Sequence, residues 1–200
     1  METLLFEAAV RLLIDDASSN FTRFRGKNRT PEEPVMTAFD IGFAVQGARD
    51  TFVSLLDYDR PHVHIEFYDG PDAAAAALVF EHYIERLGPL ASGPGKRSEL
   101  TQDHDGRSVH WQYVSFQTSR GVWITAECVS SQRAAGAALE YRVRVKVTGH
   151  DIECIVGAPE DSLWHIFFAG SPLQAKTGET ADPGVRKKRP RRGKGRSAEG

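Results

Sequence analysis

Hydrophobic residues recur along this chain in two rhythms. At the start, Leu4, Leu5, Ala8, Leu12 and Leu13 fall three to four residues apart, widened by Phe6, Val10 and Ile14. That spacing predicts an amphipathic helix over 3–16. A second helical rhythm follows Asp69-Gly70-Pro71-Asp72, where an acidic cap and an early proline open a helix. It runs through the alanines of 73–77, then Leu78, Val79, Phe80, Tyr83, Ile84 and Leu87. Gly88-Pro89 predicts its stop, with glycine in the left-handed conformation and proline barring continuation.

Elsewhere the rhythm is two, the mark of strands with one face buried. Phe39, Ile41, Phe43 and Val45 alternate with smaller or polar residues, and 51–58 reads as a second strand. Over 62–68, Val63, Ile65 and Phe67 fall on one face and His62, His64, Glu66 and Tyr68 on the other. Strands are expected at 108–117 and 122–130, joined by the turn Ser119-Arg120-Gly121. The clearest strand is 139–148, with Leu139, Tyr141, Val143, Val145 and Val147 against Glu140, Arg142, Arg144, Lys146 and Thr148. A further hairpin at Gly149-His150-Asp151 is expected to lead into 152–156, and a short buried strand to cover 163–168. The segments 21–35 and 88–106 read as loops, rich in Gly, Pro and polar residues.

The predicted order is α-βββ-α-ββββ(β). Its connections between strands are too short for crossovers, so the sheet is expected to be mostly antiparallel. The fold class is α+β, a sheet of about 6–8 strands with two helices on one face. Two αβββ runs invite the idea of a duplication, although no residue-level repeat supports it.

Composition adds little to this picture, but charge adds a boundary. The chain has 200 residues, 40% hydrophobic and 26% charged, which excludes collagen-like, coiled-coil and wholly disordered classes. The net charge of -2 is unevenly spread. Residues 183–200 hold eight of the 25 basic residues and one of the 27 acidic ones, so they carry +7 and the rest carries −9. From Ala175 onward large apolar residues vanish, Val185 apart. A globular domain over 1–174 and a disordered basic tail over 175–200 are therefore expected.

No apolar run is long enough to span a membrane, and the acidic residues near Met1 do not suit a signal peptide. A soluble cytoplasmic protein is expected, or a nuclear one in a nucleated cell, given the basic run. Cys128 and Cys154 form no CxxC pair, so neither a zinc ribbon nor a dithiol redox motif is offered.

Several segments carry candidate chemistry. His62, His64 and Glu66 share a strand face, and two histidines so spaced can lean onto one metal ion. The start is similar to that of cupin enzymes, but their glycine-flanked second histidine motif is absent. A third ligand is required, with His110, Glu127 and His150 as candidates. The reading of this face as an amphipathic strand surface stands beside the metal one, and no cofactor is called. Gly93-Pro94-Gly95-Lys96-Arg97-Ser98 lacks the first glycine and the Ser/Thr of a phosphate-binding loop. His104-Asp105-Gly106 reads as a turn, and no Gly-x-Ser-x-Gly elbow occurs.

Arg142, Arg144 and Lys146 form a basic stripe with Trp111, Tyr113 and Trp123 on neighbouring strands. A basic, aromatic sheet face can bind single-stranded nucleic acid, while a stripe paired with acids of adjacent strands cannot. The strongest positional signal is the tail: Arg186, Lys187, Lys188, Arg189, Arg191, Arg192, Lys194 and Arg196. Such a run releases counterions from a polyanion and gives salt-sensitive binding. The expected function is a non-enzymatic binding or adaptor module with a protein partner, its tail contacting a polyanion or acidic partner. The element order resembles that of small chaperone or immunity-type proteins. The alternatives are a metal-dependent or small-ligand enzyme on His62, His64 and Glu66, and a nucleic-acid module on the Arg142, Arg144 and Lys146 face.

Overall fold

The alternating segments pair with one another in a computed structural model of the chain. It describes residues 1–32, 36–56, 59–104, 107–132 and 137–153. The chain divides into two units, Met1–Phe167 and Phe168–Gly200, and all described residues belong to the first. The expected strands at 152–156 and 163–168, Cys154 and the tail lie wholly or mostly outside the described residues.

The elements, in chain order, are β1 (Glu2–Leu4), α1 (Phe6–Asp16), β2 (Arg25–Asn28), β3 (Met36–Ile41), β4 (Phe43–Val45), β5 (Asp50–Leu56) and β6 (His62–Gly70). There follow α2 (Ala73–Leu87), β7 (Lys96–His104), β8 (Arg107–Gln117), β9 (Trp123–Gln132) and β10 (Leu139–Thr148). Eight strands form one sheet in the order β2-β3-β5-β6-β10-β9-β8-β7, every pair antiparallel. The α+β class with a large antiparallel sheet and two packed helices is thus present. The order reads as two αββββ meanders joined back to back through their last strands, β6 and β10.

One face of this sheet meets both helices. Val53, Val63, Ile65, Ile124, Val143, Val145 and Val147 are fully enclosed there with Phe6, Leu13 and Leu87 of the helices. Phe6, Phe67 and Tyr83 interlock at the centre, Phe67 stacked on Tyr83 at 3.6 Å between ring centroids. A bidentate Arg86–Glu7 pair at 2.7 and 2.8 Å ties α2 to α1. Helix α2 begins as its sequence predicts, with the Asp72 carboxylate accepting from the Ala74 and Ala75 amides.

Several expectations are corrected. Residues 2–4 are a strand rather than the first turn of α1, because they pair parallel with β4. The expected strand 38–45 splits at Gly42, so that β4 leaves the main sheet for β1. The loop 21–35 contains β2, and the loop 88–106 contains β7, an edge strand paired with β8 along nine residues. Edge strands need no apolar face of their own, which hides them from a periodicity search. Gly88 is right-handed at φ −48°, not left-handed, and the chain continues into a 3-10 turn over Gly88–Leu90. After β10, Glu153 bridges to Asp59. Two glycines are fixed by geometry. Gly121 turns β8 into β9 at φ +76°, and a Cβ on Gly95 would lie 2.5 Å from Phe116 and 2.6 Å from Val114.

Candidate functional site

The same alternation that sends the valines to the helices sends charged residues to the second face. Register then sets them in rows across the strands. One row is Asp50, Glu66, Arg144, Glu127 and Tyr113; the next is Phe52, His64, Lys146, Thr125 and Ser115. On the other side of the first lies Asp69, Arg142, Val129 and Trp111.

Glu127 sits at the centre of the first row and is 6% exposed. Its two oxygens take Arg144 Nε at 2.7 Å and Lys146 Nζ at 2.5 Å. Burial pushes its carboxyl up, but the two cations outweigh burial and hold it at about 2. Two cations of the predicted basic stripe, Arg144 and Lys146, are therefore tied to one carboxylate within the sheet. Arg142 differs. Its guanidinium stands 3.9 Å from both Glu66 and Asp69, beyond hydrogen-bond length.

The histidine pair is turned to structural partners. His64 Nε2 meets the Ser54 hydroxyl at 2.7 Å, with Phe52 stacked on the ring. His62 lies between Asp59, 3.2 Å away, and Thr148, 3.3 Å away. Burial holds the His64 imidazolium well below its ordinary range, helped by the charges of Arg144 and Lys146. Burial lowers His62 as well, against the pull of Asp59. A hydroxyl on an imidazole is the pairing that activates nucleophiles. Here both groups are buried, and His64 Nδ1 has no partner to orient the ring. Glu66 faces Arg142 instead of the histidines. Of the expected third ligands, Glu127 is held by its cations and His110 bonds Thr101 on the neighbouring strand. Among the described residues, no three His, Cys, Asp or Glu side chains group to hold a metal ion. Cys128 is buried, and burial pushes its thiol up, away from thiolate chemistry.

Beyond His64, Arg29 closes the face over β3 and β5. It binds Asp40 at 2.6 Å and both Asp50 oxygens at 2.7 and 3.0 Å, above the Phe52 ring. Arg29 in turn holds the Asp50 carboxyl low.

At the opposite end a cavity of about 240 Å³ opens over the third row. Trp111 and Val129 supply an apolar wall, and Asp69, Glu140, Arg142 and Arg144 line it with two charges of each sign. Asp69 arrives there through an irregularity. Glu66 pairs with Arg144, but Tyr68 pairs with the next residue, Val143, so a bulge at Phe67 shifts the alternation by one. Tyr68 is thereby removed from the face of His62, His64 and Glu66, contrary to the strict alternation. Its hydroxyl instead donates to Asp72 O and accepts from the Asp72 amide at the start of α2.

The sequence singles out Arg142, His62, His64 and Glu127, but not Asp69, Asp59 and Ser54 as partners of the first three, nor the Arg29 cluster with Asp40 and Asp50. Pairing registers bring these together, and registers leave no trace in local composition. The tail cations Arg186 to Arg196 lie outside the described residues. Among the described residues, no helix is long and apolar enough to cross a membrane. In comparisons with known proteins, no family model, no curated protein and no solved structure matches this chain.

Proposed function

We propose that this protein is a non-enzymatic binding or adaptor module whose basic segment, Arg186 to Arg196, supplies electrostatic attraction to a polyanion or acidic partner. The observation that carries the reading is the capture of Arg144 and Lys146 by buried Glu127. Cations used inside the sheet cannot release counterions from a nucleic acid. The chain's densest run of positive charge, eight cations in residues 186–196, then becomes the natural contact. The pairing of both histidines with Asp59, Ser54 and Thr148 adds support, since it leaves the expected metal ligands facing other partners.

The test is polyanion binding by the full chain and by a chain ending at residue 182, over a range of salt. The full chain should bind a short duplex DNA with a log–log salt slope of up to about −7, from roughly 0.9 per neutralised phosphate. Deleting 183–200 should abolish that slope, while Arg142→Gln should leave it unchanged. Equal affinity and slope for full and shortened chains would overturn the reading. A slope lost with Arg142→Gln would favour the sheet-face nucleic-acid alternative instead.

A further inference from the structure

The other ion pairs of the second face close tightly, whether buried, as at Glu127, or exposed, as at Arg29. Glu127 meets its cations at 2.7 and 2.5 Å, and Arg29 meets Asp40 and Asp50 at 2.6 and 2.7 Å. Only 3.9 Å contacts join Arg142 to Asp69 and Glu66 among the described residues. The exception lies at the cavity of about 240 Å³. There Asp69 and Arg142 are direct register partners, each more than a third exposed, and Val129 and Trp111 continue the row.

From this arrangement we propose that the cavity binds a zwitterion the size of one amino acid, an L-α-amino acid with an apolar side chain. Its carboxylate takes the Arg142 guanidinium in a two-point fork. Its ammonium takes the Asp69 carboxylate. Its side chain lies on Trp111 and Val129. A ligand with both charges side by side inserts two close ion pairs into the slack Arg142–Asp69 contact and adds no net charge. The neighbourhood argues against other ligand classes. A phosphate would bring extra negative charge to a guanidinium already flanked by Glu66 and Asp69. A nucleotide exceeds the space, since sites for drug-sized ligands hold about 300–1,000 Å³. The proposal is independent of the tail, because every group it uses lies in the sheet.

The probes are L-leucine and L-phenylalanine, titrated into the full chain by calorimetry, with tryptophan fluorescence as a second readout. Leucinamide lacks the carboxylate and N-acetyl-leucine lacks the ammonium; each should bind the unaltered protein at least about tenfold more weakly than leucine. Arg142→Gln and Asp69→Asn should each weaken leucine binding by a similar factor, with unchanged circular dichroism. Trp111→Phe should keep binding but reduce the fluorescence change. The derivatives need no variant, so a misfolded mutant does not blunt the test. No saturable binding of either amino acid at 10 mM, or equal binding of leucine and its two blocked forms, would overturn the assignment.

Discussion

The two faces of one sheet are buried by different means. On the helix side, Val63, Ile65, Val143, Val145 and Val147 are enclosed by apolar neighbours from α1 and α2. On the second face, Ser54, His64, Thr125 and Glu127 are also buried, but they are polar and held by polar neighbours and by cations. Apolar burial has no direction and grows with area removed from water. Polar burial is tolerated only when each group meets a partner. The first face is therefore sensitive to lost volume, and the second to lost partners. A face that depends on pairing also fixes where its loosest pair lies, which is how Arg142, 3.9 Å from both Glu66 and Asp69, comes to stand apart from Arg144 and Lys146.

The largest effect is expected from volume. Ile65 is fully enclosed in a strand paired on both sides, so Ile65→Ala should cost about 4 kcal/mol, read as a lower urea midpoint at an unchanged slope. Removing a partner on the second face comes next. Glu127→Ala leaves two cations facing a buried gap, but about a fifth of each cation's side chain is exposed, which softens the loss to about 3 kcal/mol. The contrast sharpens in a triple variant, Glu127→Met with Arg144→Met and Lys146→Met. Apolar replacement of a whole buried ion network is often neutral or better, so the triple variant should recover most of that loss. A triple variant as unstable as Glu127→Ala would show that stranded cations are not the source of the loss.

The helix-covered face was legible because its cause is local. Val143, Val145 and Val147 declare a buried strand face by alternation alone, and Asp72 before the alanine run declares α2. The second face was legible only in part. Alternation placed His62, His64 and Glu66 together, and Arg142, Arg144 and Lys146 together. It did not show that Lys146 lies opposite His64, or that Glu127 reaches both Arg144 and Lys146, because those facts depend on how distant strands align. The bulge at Phe67 defeats alternation outright, turning Tyr68 toward α2 and Asp69 toward the cavity. Edge strands β2 and β7 escaped notice for the opposite reason: nothing apolar marks them.

Acid should separate the faces further. In the unfolded chain His62 and His64 take up protons near their ordinary pKa of 6.5, whereas burial keeps both lower in the fold. The unfolded state then binds more protons as pH falls through 6.5, so stability should decline from there downward. Glu127 continues the trend: unfolded it protonates near 4.5, folded only near 2, so its contribution is lost between those values. Urea midpoints at pH 8, 6, 5 and 4 should fall stepwise. His64→Phe should flatten the decline between pH 6.5 and 5 and leave the one below 4.5. A decline confined to pH below 4.5 in the unaltered chain would show that the histidines are not held neutral.

The smallest effect comes from a pair that matches the second face in distance but not in setting. Arg97 binds Glu81 at 2.7 Å, the same length as Arg144 to Glu127, but both side chains are 53% exposed, at the junction of α2 with edge strand β7. Water already solvates either charge when the other is gone, and holding two long side chains together costs entropy. Glu81→Ala should therefore cost less than about 0.5 kcal/mol, and raising salt should shrink even that. Glu127→Ala, with equal bond lengths, should cost several times more at any salt. If the two substitutions proved equal, bond geometry rather than burial would set the strength of these pairs, and the distinction between a tightly held second face and an ordinary wetted surface would fail.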